Sequence, residues 1–483
     1  MNTNFLQNSL TDVQIDASRT RGSLEGWRQT VGHGGINPVP LPAKVVQGLK
    51  KLQPRLIRIF LQEFFDIYPE HGRFDWTRLD PYMDALAQTG ASVVAAITMK
   101  PPVLFPEVNH AIWRPNDVEE WQQVVAALVQ RYSVERQIVA YWEIGNETDI
   151  GEWGGSPYLI PGPEDYFEYY CMTIDPILRT CPSVKVGGPA SCWIENEPLP
   201  GLVRRCRETG TRLDFISWHS YNSDVDRHVQ GVRLAETLFA GWPGPRPELL
   251  YTEWNKDFEI ARGVLNPRTG RMGRNVSVDD MAFDVERAGV TASVLMGLIE
   301  TSLDWSFYYH IWDQIFYPET FRSFYSDHGL ALMMEHWNEM PHRFGLFGVN
   351  GEVRPQYFVY QMLTRLGEEK LESHSNHPDV RVLAARQGER IGILLTNYNP
   401  YHATDQVVQL NFSNLHSGSR RLVVYRIDTE RRWSEEDLEL EPVECRDTYV
   451  LEDFCFQVAL PAGSVVMVRM EEANTSPAAV RSS

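Results

Sequence analysis

Short apolar runs return at intervals through the first two thirds of the chain, and segments of helical periodicity separate them. The runs are LIRIF (56–60), SVVAAIT (92–98), IVAYWEIGN (138–146), VKVGG (184–188), DFISWHSY (214–221), ELLYTEW (248–254) and LDWSFYY (303–309), with an eighth expected within WRQTVGHGG (27–35). The clearest helix between them is DVEEWQQVVAALVQRY. Its Val118, Trp121, Val125, Leu128 and Tyr132 share one face, and Asn116 or Asp117 can cap its start. Further helices are expected in RLDPYMDALAQTG, over residues 278–301 and in PQYFVYQMLTRLG (355–367), which opens on a proline and closes on a glycine. Strands alternating with helices call for a parallel sheet covered on both faces. Eight repeats favour closure into a (β/α)8 TIM barrel over an open doubly wound sheet. No GxGxxG follows a strand and no GxxxxGK[ST] occurs, so the nucleotide fingerprints of the open alternative are missing.

After Gly367 the texture changes to short alternating runs such as RIGILLTN, DQVVQLNF and SVVMVRM, without helical periodicity. This is the pattern of an all-β sandwich. The expected organisation is an N-terminal segment (1–25) adding a strand to the sandwich, a catalytic barrel (26–369), a β-sandwich domain (370–471) and a disordered tail (472–483).

The formal net charge of −19 opposes binding to nucleic acid or to anionic membranes. The first residues, MNTNFLQNSLTDVQID, lack the basic and apolar regions of an export signal, and no apolar run has the length of a membrane span, so a cytoplasmic location is expected. Six cysteines without a CxxC pair read as reduced structural thiols rather than a zinc site. Nothing in the pattern demands a metal or a cofactor, and homo-oligomerisation is left open.

Two of the strand-like runs end in a carboxylate: AYWEIGNETD carries Glu147 and LLYTEWN carries Glu253. In a barrel the strand C-termini converge on the face that holds the active site. Period-2 counting groups Tyr141, Glu143, Gly145 and Glu147; Leu249, Tyr251 and Glu253; Ser217, His219 and Tyr221; and Leu56, Arg58 and Phe60. A carboxylate pair on one rim suits glycoside hydrolysis, in which one group protonates the leaving oxygen while the other meets the anomeric carbon. A divalent-metal site or salt-bridged rim residues are the plainer readings of the same pair.

The segments KVGGPA (185–190), LDFISWHSYN (213–222), LLYTEWN, FGLFGVNGEVRPQYFVYQMLTRLG (344–367) and PEHGRFDWTRLDPYMDALAQTG (69–90) resemble glycoside hydrolase family 39, the β-xylosidase and α-L-iduronidase family of clan A. The likeness runs in order over about residues 50–370. It implies that Glu147 is the acid/base and Glu253 the nucleophile, that Asn146 binds the sugar 2-hydroxyl, and that Arg58 holds Glu253 ionised. It further implies that Tyr221 reaches the nucleophile while His219 lines the acid/base side, and that one of Trp305, Tyr308 and Trp312 floors the sugar subsite. Trp254 is a sugar contact or a packing residue, and Glu143 an internal structural charge. The chain departs from the family in having Gly145-Asn146-Glu147-Thr148 where Trp-Asn-Glu-Pro is usual, and Phe60 where a histidine is common.

The function so implied is a retaining, exo-acting glycoside hydrolase on small glycosides or oligosaccharides, β-xylosidase-like and free of cofactors. Other clan A specificities (α-L-arabinofuranosidase, β-glucuronidase, β-galactosidase, β-glucosidase) stand beside it. So do a non-catalytic carbohydrate-binding barrel and a lyase working through an imine on Lys100 or Lys185.

Overall fold

The computed structural model describes residues 10–256, 281–339, 344–401, 403–430 and 433–473. They form two compact units, one of Trp27–Val278 and Glu300–Glu352, the other of Met1–Gly26, Asp279–Ile299 and Val353–Ser483. The helices Met281–Ile299 and Pro355–Thr364 therefore group with the second unit, where the sequence reading of 26–369 had put both with the barrel.

In the first unit eight strands close into a parallel barrel: Gln29–His33, Leu56–Phe60, Ser92–Ile97, Val139–Ile144, Lys185–Ser191, Phe215–Tyr221, Glu248–Asn255 and Trp305–Tyr309. The expected first strand pairs with both its neighbours, Val31 meeting Ile57 on one side and Tyr308 on the other, and this closes the ring. Leu56, Val94, Tyr141, Phe215, Leu250 and Phe307 fill the barrel interior as one apolar layer. Outside, helix Val118–Val129 buries Trp121, Val125 and Leu128, and Asp117 accepts a hydrogen bond from the Glu120 amide at its start.

The seventh strand does not keep strict alternation. Trp218 pairs with Tyr251 but His219 pairs with Glu253; on the other side Tyr251 pairs with Ser306 and Trp254 with Tyr308. One extra residue at Thr252 makes a bulge. Leu250 and Glu253 both turn inward as a result, while Tyr251 stacks outside on Trp218, with ring centroids 5.3 Å apart. The period-2 grouping of Leu249, Tyr251 and Glu253 is overturned by this bulge.

In the second unit nine strands share one hydrogen-bonded order. The N-terminal strand Leu10–Ser23 lies between Glu369–Ser375, antiparallel to it, and Gln406–Ser413, parallel to it. Val13, Ile15, Leu395, Val408, Leu410, Val424 and Val468 belong to one apolar cluster although their strands are not all neighbours, so the sheet curls over a shared core. The last strand, Val465–Glu472, takes in the first residue of the expected tail, and 474–483 lie outside the described residues. Among the described residues no helix is long and apolar enough to cross a membrane.

Replacing Asp117 with Ala removes the side-chain acceptor that caps that helix start and is expected to cost about 1 kcal/mol. The loss would be read as a lower urea midpoint with an unchanged m-value.

Candidate active site

Arg58 stands at the centre of the barrel mouth on the second strand and is wholly buried. A guanidinium taken out of water needs every donor paired. Here Nε donates to Glu143 Oε2 (2.7 Å), Nη1 to Glu253 Oε1 (2.5 Å) and Nη2 to Asn146 Oδ1 (2.7 Å). One cation thus gathers side chains from the fourth and seventh strands. Glu143 lies deeper than Glu147 and points inward, the structural role expected of it.

Glu253 also accepts a hydrogen bond from Tyr221 Oη at 2.6 Å. Glu147 shares one with His219 Nδ1 at 2.8 Å, and His219 Nε2 lies 3.2 Å from Thr252 Oγ1, the bulged residue. A carboxylate oxygen of Glu147, one of Glu253 and a nitrogen of His219 lie within 4.8 Å of one another. A cation could in principle be gripped by these three. The Arg58 charge, already on Glu253, opposes it.

The fourth strand reaches this point through an abrupt turn. Gly145 has φ +91°, and a side chain there would meet Thr148 Cγ2 at 2.9 Å, so the glycine that departs from the family pattern is required by the backbone. Glu147 itself is left-handed at φ +43°, at a cost of about 1–2 kcal/mol for a residue bearing a side chain. Its amide donates to Ala190 O (2.9 Å), which ties the turn to the fifth strand.

The two carboxyl groups are placed differently. Burial, then the nearby Glu253 charge and Asp149, push Glu147 well above the ordinary carboxylate range. Burial raises Glu253 too, but Arg58 and Tyr221 pull it back. His219 is driven well below its usual value by burial and by Arg58, and so is neutral at neutral pH. Both carboxyl groups are raised, Glu147 the more strongly, so Glu147 is the readier of the two to hold a proton.

Around them lies a cavity of about 730 Å³ lined by Asn146, Glu147, Tyr221 and Glu253 together with Tyr309, Trp153, Trp193 and Trp337. None of the aromatic residues expected on the last strand lines it. Trp305, at the start of its strand, sits at the opposite end of the barrel, edge-on to Trp27 at 5.1 Å. Tyr308 faces outward, against Trp254 at 5.2 Å, and donates to Phe344 O (2.7 Å). Trp312 donates to Val349 O (3.2 Å) and does not line the cavity. Trp254 faces away as well, towards His228. The ring that does line the cavity is Tyr309, whose hydroxyl donates to Gly34 O at 2.8 Å. Strict alternation from Trp305 through Phe307 would have found it. Trp193 lies in a loop, Trp153 in the short turn Gly151–Gly154 and Trp337 in the short helical segment Glu335–Glu339, where no strand periodicity marks them. Lys100 donates to Asn109 O and Pro157 O, and Lys185 pairs with Glu248; neither lines the cavity.

With this geometry in hand, the comparisons with known proteins are specific. The model of the family "Glycosyl hydrolases family 39" matches residues 11–235. A β-xylosidase from Caldicellulosiruptor saccharolyticus is 23% identical over 358 residues, covering 68% of this chain and 64% of its own length. This match and this relative support glycoside hydrolase family 39 for the chain. Among solved structures, a monomeric β-xylosidase from Caulobacter crescentus CB15 superposes with a TM-score of 0.72 at 18% identity, over 95% of this chain and 99% of that one. The family 39 enzyme from Xanthomonas axonopodis pv. citri also gives 0.72, at 19% identity over 98% and 100%. At such identities these two likenesses speak for the fold. The chain thus spans 64% of the length of the curated relative from Caldicellulosiruptor saccharolyticus.

Arg58→Met would strand two buried carboxylates, and a loss of about 3–5 kcal/mol is expected in chemical denaturation. A second buried carboxylate gives a pH signature. Glu63, in the turn after the second strand, is pushed by burial up to about 8 although Gly35 N donates to it at 2.9 Å. Because the folded chain holds this proton more tightly than the unfolded one, stability falls as pH rises from about 4.5 to 8, by at most about 1.4 kcal/mol per pH unit. Glu63→Gln should flatten that slope in urea titrations across the range.

Proposed function

We propose that this family 39 chain is a retaining, exo-acting glycoside hydrolase of β-xylosidase type, acting on small glycosides or short oligosaccharides. The observation that carries the reading is the pair of carboxyl oxygens, from Glu147 and Glu253, within 4.8 Å of each other in one cavity. Retaining enzymes need the shorter carboxyl separation, about 5–5.5 Å, because one group must itself bond to the anomeric carbon; inverting enzymes leave room for a water between.

Glu253 is the better nucleophile. Arg58 and Tyr221 keep it ionised, so its oxygen can attack the anomeric carbon as the bond to the leaving oxygen breaks. Glu147 holds the proton that the departing oxygen requires. Once Glu253 is esterified its charge is gone, one of the causes of Glu147's raised pKa is removed, and Glu147 can take a proton from the water that cleaves the ester. Asn146, fixed by Arg58, is offered to the sugar hydroxyl next to the reacting carbon. Tyr309 supplies an aromatic wall beside it. A cavity of about 730 Å³ matches a small ligand rather than a polymer. The choice of xylose follows the names of the relatives from Caldicellulosiruptor saccharolyticus and Caulobacter crescentus. A cytoplasmic enzyme acting on imported glycosides is consistent with the sequence reading.

A panel of 4-nitrophenyl glycosides followed by proton NMR tests sugar and stereochemistry together. The β-xyloside is expected to turn over and to release the β anomer first; a first-formed α anomer would reject retention. With azide present, Glu253→Ala should give the glycosyl azide of inverted configuration and Glu147→Ala the retained one. The reverse pairing would exchange the two roles.

A further inference from the structure

The loop after the fourth strand folds back over the carboxyl group it follows. Glu147 O accepts from the amides of Ile150 (3.1 Å) and Gly151 (3.0 Å), and the turn Gly151–Gly154 brings Gly154 against the Glu147 side chain. A methyl group placed on Gly154 would sit 1.9 Å from Glu147 Oε2, 2.7 Å from its Cβ and 2.9 Å from its Cδ. Only hydrogen fits there. With His219 on Oε1, the carboxyl is confined from two sides.

This loop is fastened from the other side of the barrel mouth by the segment after the eighth strand. Tyr325 Oη donates to Gly155 O at 2.5 Å, and the Glu152 carboxylate accepts from Ser326 N (2.8 Å) and Ser326 Oγ (2.5 Å). Ser326 is itself the cap of helix Asp327–Met334. Gln62 Nε2 donates to both Tyr325 Oη (3.1 Å) and Gly35 O (2.9 Å), so the second strand's loop joins the same network.

We propose that Gly154 is a positioning residue that sets the orientation of the Glu147 carboxyl, and that the Tyr325–Gly155 and Glu152–Ser326 bonds hold it in place. The inference rests on Glu147 being the proton donor. A general acid works only within hydrogen-bond reach of the leaving oxygen, so a side chain at Gly154, or a slackened loop, should impair protonation before it impairs binding.

The test compares Gly154→Ala, Tyr325→Phe and Glu147→Gln on two aryl glycosides of one sugar, the phenyl glycoside, which needs acid assistance, and the 2,4-dinitrophenyl glycoside, which does not. For Gly154→Ala, kcat/KM on the phenyl glycoside is expected to fall about 100-fold or more and on the dinitrophenyl glycoside less than about tenfold. The alkaline limb of its pH profile should also move. Tyr325→Phe should show the same dependence on the leaving group at smaller size, and it carries the test if Gly154→Ala does not fold. Equal losses on both substrates, or none, in these variants while Glu147→Gln discriminates sharply would overturn the positioning role alone. A Glu147→Gln that loses equally on both would instead overturn the assignment of the acid, and this proposal with it.

Discussion

A single buried guanidinium organises the barrel mouth. Arg58 has no access to water, so its charge is tolerable only if acceptors surround it, and the acceptors it finds are Glu143, Asn146 and Glu253. These come from two strands on either side of the ring. The planar fork of arginine fixes directions as well as contacts, which a lysine could not do. Removing water from a cation has here the effect of aiming two glutamates and an amide at one region of space.

The same cation makes the two functional carboxyl groups unequal. Glu253 receives the charge of Arg58 directly and a phenol besides, whereas Glu147 is surrounded by a neutral imidazole, a glycine and its own turn. Burial acts on both in the same direction, so the difference between them comes from their partners. Two chemically identical side chains are thereby given different surroundings, of which those of Glu147 favour the protonated form more strongly.

How far the sequence revealed this depended on where regular spacing held. Seven of the eight barrel strands were marked by apolar runs, and on the second, fourth and sixth strands alternation grouped Arg58, Glu143, His219 and Tyr221 correctly, while Glu147 lies past the strand end on a left-handed turn that period-2 counting does not describe. On the seventh it failed, because the extra residue at Thr252 is a backbone event that no side-chain pattern announces. On the eighth, aromatic identity was followed instead of parity, so Trp305, Tyr308 and Trp312 were favoured over Tyr309. Trp153, Trp193 and Trp337 were invisible for another reason. They belong to connecting segments between the barrel strands, whose positions are set by tertiary contacts such as Glu152 with Ser326 and not by local periodicity.

The N-terminal strand has a consequence for synthesis. Leu10–Ser23 leaves the ribosome well before either strand it pairs with, the nearer of which is made some 350 residues later. At cellular elongation rates that is a wait of roughly 20–70 s. Over that interval the barrel segments emerge in order and can find their neighbours as they appear, while a ready-made strand with apolar Val13 and Ile15 stands unpaired. Whatever shields it meanwhile, whether a chaperone or a transient local collapse, has to release it in time for the curled sheet to close around it.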